Sequence, residues 1–143
     1  NIMLINALVG AISTLVLFFL QAKLPLAGMT RALLGPSLFV MGLGAALGSR
    51  LTAYFHKCRY RAILLFSTIG VLFAFTMSFT RLPILMVFGG FVGSFSDDFL
   101  EVRTDILLNH MIPSKQRATL MSVNSFLFSI IMIVLSTAFG WIM

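Results

Sequence analysis

The chain has 143 residues, of which 59% are hydrophobic and 10% charged, well below the roughly one quarter of charged residues in soluble domains. That balance leaves almost no room for a water-soluble fold. The net charge of +6 does not point to nucleic acid, because the ten Lys and Arg residues are confined to short connections and segment ends, where an inner membrane surface attracts them.

Residues 1–22, 32–49, 62–80, 82–96 and 118–143 contain no Lys, Arg, Asp or Glu, runs of 15 to 26 residues. A helix needs about 20 predominantly apolar residues to cross the hydrocarbon core. The expectation is an all-α integral membrane protein, a polytopic helical bundle with spans at 2–21, 31–55, 62–80, 82–108 and 118–142.

The first span lacks the basic leader of a signal peptide, so it is expected to stay as a membrane helix. It carries a polar face of Asn6, Ser13 and Thr14, with Gly10 between them and Gln21 below. The second span holds Gly42, Gly44 and Gly48, and Pro36 in its first turns is a candidate bend. Gly42-x-Gly44 is no nucleotide fingerprint, because no strand precedes it and the third glycine is missing. The connection that follows contains His56 and the single cysteine, Cys58. One cysteine excludes an internal disulfide, and two ligands fall short of the four a structural zinc needs, so neither metal nor cofactor is implied. The third span is the least polar on any one face and is expected to look at lipid, with Phe66, Phe73, Phe75 and Phe79 as core or lipid contacts and not a cofactor box.

The fourth span combines Gly89, Gly90 and Gly93 with all four acids of the chain, Asp97, Asp98, Glu101 and Asp105. Like the second span, it contains a Gly-x-x-x-Gly pair, which predicts close helix approach. Steps of three and four residues return to one helix face, so the acids form a stripe. Counted from Arg81 at 1.5 Å per residue, Asp97 lies roughly 24 Å along the axis, in the inner third of the bilayer. A carboxylate at the bilayer centre costs about 2.5 to 3.5 kcal/mol, so Asp97 and Asp98 should face protein or water and require partners. Arg103 is two residues from both Glu101 and Asp105 and points elsewhere. The candidate partners are Arg50, Lys57, Arg59, Arg61, Lys115 and Arg117. The fifth span repeats the polar pattern with Ser122, Ser125, Ser129 and Ser136, next to Asn124. Such faces line an aqueous cavity or hydrogen-bond neighbouring helices; for Asn6 and Asn124 both uses stay open.

Two connections and the adjoining helix ends carry Arg50, Lys57, Arg59, Arg61, Arg103, Lys115 and Arg117, against Lys23, Arg31 and Arg81 in the other two. The positive-inside rule then predicts that the first span starts in the cytoplasm and the last ends outside, in the cell membrane. Tyr54 and Tyr60 near one interface and Trp141 near the other agree. The chain begins with Asn1 and stops within an apolar run, which suggests a piece of a longer protein.

The junction Ile112-Pro113-Ser114-Lys115-Gln116-Arg117-Ala118-Thr119-Leu120-Met121-Ser122 resembles the "IPSxxRATxxS" sequence before the eleventh helix of bacterial drug and metabolite transporters of the major facilitator superfamily. Gly48-Ser49-Arg50-Leu51 through His56-Lys57-Cys58-Arg59-Tyr60-Arg61 resembles the basic loop between that family's eighth and ninth helices, with His56 where Asp is usual and Arg59 where Gly is usual. By helix order the five spans look like the seventh to eleventh helices of one six-helix half. The resemblance implies that the missing amino-terminal half and twelfth helix are partners, and that the ninth helix faces lipid while the others line a pathway. It also implies alternating access by rocking of two halves.

The expected function is secondary active transport of a small solute, by proton-coupled efflux of drugs or metabolites, with protons or another ion as the coupling species. Asp97, Asp98, Glu101, Arg50, Arg61 and Arg117 are the coupling or gate candidates, and Asn6, Ser13, Thr14 and Asn124 the cavity candidates. Pairs between the acids and the basic connections would close the inner mouth, and a carboxylate that loses water as the state changes would take up a proton. The alternatives are an uptake permease for a sugar, peptide or organic acid, a non-transporting membrane scaffold, and a magnesium-dependent prenyltransferase. The last rests on Asp97-Asp98-Phe99-Leu100-Glu101, but such a site needs a second acidic cluster, and no acid lies outside the fourth span. No enzymatic activity is expected.

Overall fold

The computed structural model describes residues 2–56 and 58–142, with the side chains of Ser114 and Ile142 left aside. It is all-helical in its regular elements: α1 (Ile2–Leu26), α2 (Arg31–Leu51), α3 (Tyr60–Met77), α4 (Pro83–Met111) and α5 (Arg117–Ile142), with a 3₁₀ turn at Ser114–Gln116 before α5. All five α-helices are long and apolar enough to cross a membrane.

The ends follow from local chemistry. α1 runs past Gln21 to Leu26 because Lys23 finds shelter: its ammonium donates to the Ser78 carbonyl at 3.0 Å and lies 4.8 Å and 5.5 Å from the Phe19 and Phe79 ring centres. The helix then closes through Gly28, whose φ of 91° suits glycine alone. The Gly28 amide donates to the Pro25 carbonyl and the Met29 amide to the Leu24 carbonyl, the paired bonds of a Schellman motif. α2 stops at Leu51, short of the expected Phe55, and Thr52 folds its hydroxyl back onto the Gly48 carbonyl at 3.0 Å. α4 starts on Pro83 and ends where Ile112, extended before Pro113, cannot continue a helix.

α4 is the central rod, packed on α1, α2 and α3, while α5 packs chiefly on α1. Apolar burial gives lipid-soluble helices little reason to associate, so close backbone approach carries the assembly. Gly44 and Gly48 of α2 rest on the carbonyls of Phe91 and Phe95, where a Cβ would overlap the oxygen. Gly93 leaves room for Ala74 of α3, whose Cβ would lie 2.8 Å from an added one, and Gly70 of α3 sits against the Ser96 hydroxyl. The expected close contacts of the glycine pairs are thus realised on two sides of α4. α3 exposes Leu65, Phe66, Ile69 and Leu72, and every described residue of α5 keeps part of its surface open.

A polar tie joins three helices. The buried Thr104 hydroxyl of α4 lies 3.1 Å from Asn6 Oδ1, 3.1 Å from the Tyr60 hydroxyl and 2.8 Å from the Leu100 carbonyl. Its single proton goes to Asn6 or Leu100 while Tyr60 can donate to it. Thr104→Val keeps the shape and removes every one of these bonds. It should lower stability to unfolding in mixed micelles by about 1 to 2 kcal/mol, with Thr104→Ser close to the parent protein.

Candidate functional site

α1, α4 and α5 enclose a cleft of about 300 Å³. From α1 come Asn6, Gly10 and Thr14, from α4 Asp97 and Glu101, and from α5 Asn124, Ser125, Phe128 and Ser129. Four residues separate Asp97 from Glu101, so both project from the same side of α4. Gly10 provides the space opposite: a Cβ there would lie 3.5 Å from Asp97 Oδ1 and 3.7 Å from the Phe128 ring. Thr14 donates its proton to the Gly10 carbonyl at 2.9 Å, and Ser129 to the Ser125 carbonyl at 2.9 Å, so both hydroxyls present acceptor oxygens. Asn124 Oδ1 is buried without a protein partner. Ser13 is fully buried on α1, and its hydroxyl also has no hydrogen-bond partner.

The cleft therefore gathers Asn6, Thr14, Asn124, Asp97 and Glu101 from the candidate residues, while Ser13 does not line it. Asp98 is half-buried on α4 and does not line it. The expected acid-to-base pairs are not formed among the described residues. Arg117 donates to the carbonyls of Asn109 at 2.9 Å and Ile112 at 3.4 Å, and shares a small crevice with Asp105 and Asn124. Arg50 and Arg61 are exposed at the end of α2 and the start of α3, and Lys57 lies outside the described residues. Arg103 turns away from the acids, as its spacing predicts, and donates to the carbonyls of His56 at 2.8 Å and Cys58 at 3.3 Å.

Chemically, the site is a polar chamber with two carboxylates on one wall and amide and hydroxyl oxygens on the others. It suits a proton and a cationic or hydrogen-bonding solute. No three His, Cys, Asp or Glu side chains among the described residues converge as a metal would require. Thr104 escaped the sequence reading, although it lies three residues beyond Glu101 on the same polar stripe.

The spacing at Gly10 gives a steric test. If the chamber binds a solute, Gly10→Ala, which adds a methyl at ordinary contact distance, should leave that binding within about threefold, whereas Gly10→Leu fills the chamber and should weaken it at least tenfold at unchanged expression, checked by equilibrium binding to the purified protein. Compared with protein-family models, curated proteins and solved structures, the chain matches none.

Proposed function

We propose that this chain is part of a secondary active transporter that moves a small amphiphilic or cationic solute across the cell membrane in exchange for protons. The observation that carries the reading is the polar cleft between α1, α4 and α5, which holds Asp97 and Glu101 on a helix long and apolar enough to span the bilayer. Carboxylates at such depth are costly and serve most often in ion or substrate pathways. The resemblance of residues 112–122 to the major facilitator junction supports the same class. On that reading, a second half of the fold faces the cleft, and the basic connections lie in the cytoplasm.

In the proposed cycle Asp97 exchanges a proton for solute, and Glu101 keeps the chamber attractive to cations. Asn6, Thr14 and Asn124 orient the solute through hydrogen bonds. Arg50, Arg61 and Arg117 remain the gate candidates for a state with the inner mouth shut.

Flux assays in proteoliposomes of the protein with both halves of the proposed fold, under an imposed pH gradient, test the proposal. Gradient-driven movement of a lipophilic cation, abolished by a protonophore, is the expected result. Equal flux with and without protein, for cations, sugars, peptides and organic acids alike, would remove the transport reading. Movement of solute along with the proton, rather than against it, would identify an uptake permease.

A further inference from the structure

On the side of α4 opposite the polar cleft, two apolar cavities of about 300 and 480 Å³ share Phe66 and Phe95 and follow one another along a groove between α3 and α4. The floor of this groove is α4, where Phe95 and Phe99 stack with ring centres 5.9 Å apart, and its wall is the α3 side that meets α4. Phe66 stands edge-on to both rings, and Phe55 closes the end nearest the α2–α3 connection. From Ala62 to Phe73 the wall rises about 16 Å at 1.5 Å per residue, which matches one leaflet of a hydrocarbon core about 30 Å thick.

The mouth is basic. Leu51, Cys58 and Ala62 line its end, and the exposed residues beside them in sequence are Arg50, Arg59 and Arg61. Arg103 fixes this connection by binding the carbonyls of His56 and Cys58. Asp97 and Glu101 line the cleft on the other side of α4.

We propose that this groove holds one anionic phospholipid, with an acyl chain lying along Phe66, Phe95 and Phe99 and its phosphate at Arg50, Arg59 and Arg61. Charge complementarity selects this occupant. A second copy of the chain seated symmetrically would bring the same three cations against themselves. A zwitterionic lipid offers the same phosphate but offsets it with its own cation, whereas each arginine near a membrane surface strengthens binding to anionic lipid by roughly fivefold. The experiment below reads lipid occupancy and not flux, so its outcome does not depend on the gate role proposed for Arg50 and Arg61.

The test uses a single tryptophan in the groove, Ile69→Trp in a Trp141→Phe background, with the protein reconstituted in phosphatidylcholine vesicles. Chain-brominated phosphatidylglycerol at low mole fraction should quench that fluorescence at least fivefold more effectively than chain-brominated phosphatidylcholine. Adding Arg59→Ala and Arg61→Ala should remove the preference while leaving quenching by the neutral lipid in place. Native mass spectrometry of the parent protein should retain one phosphatidylglycerol and lose it in the double arginine variant. Equal quenching by the two lipids would show ordinary bilayer contact and overturn the proposal. Quenching by neither would show a protein surface covering the groove, and would overturn it as well.

Discussion

Asp97→Asn should abolish the response of flux to a pH gradient while leaving solute exchange at equal pH intact. Asparagine matches aspartate in size and cannot take up a proton in its place, so the chamber opposite Gly10 keeps its shape. A gradient of one pH unit is worth 1.36 kcal/mol per proton, or about tenfold in accumulated solute, and that tenfold is what the substitution should remove. Asp98→Asn is the informative comparison. Its side chain is half-buried but does not line the cleft, so the gradient response should persist. Unchanged proton dependence in both variants would take both carboxylates out of coupling. For Glu101, which lines the same chamber, Glu101→Gln should weaken binding of cationic solutes and spare neutral ones, measured by competition at fixed pH.

The second large effect concerns assembly. Gly44→Ala and Gly48→Ala would each drive a methyl into a backbone carbonyl, of Phe91 and Phe95 respectively, on the central helix. Neither oxygen can swing aside as a side-chain tip could, so α2 must separate from α4. The expected loss for each is about 3 kcal/mol, the upper end for overpacking. Gly42→Ala, only two residues from Gly44, meets nothing within 4 Å and should be neutral or stabilising by up to about 1 kcal/mol, since alanine favours helix. Unfolding in mixed micelles should therefore show opposite signs along one helix. Similar values at all three positions would remove the close α2–α4 packing.

Much of this architecture was legible because the bilayer imposes length and polarity on a spanning segment. The five spans were recovered with ends shifted by a few residues, and the glycine pairs announced where α2 and α3 meet α4. The polar faces of the first and fifth spans, together with the acids of the fourth, converge on one cleft. The pairing of those acids was not legible. Charge spacing proposed carboxylates as partners for Arg117, yet the last turn of a helix leaves carbonyls without intrahelical donors, and Arg117 is bound to those of Asn109 and Ile112. Sequence spacing cannot weigh such local acceptors against distant acids. The contact of Thr104 with Asn6 and Tyr60 was hidden for a related reason: it joins residues 98 and 44 positions apart that only the packed bundle brings together.

The attachment of α5 chiefly to α1, with every one of its described residues partly exposed, makes the chamber unequal in stiffness. Two of its sides belong to a block locked by glycine and hydrogen bonds, and the third leans on it like a door on a single post. Few contacts must break for that door to tilt, so the volume available to a guest is governed by the least anchored rod.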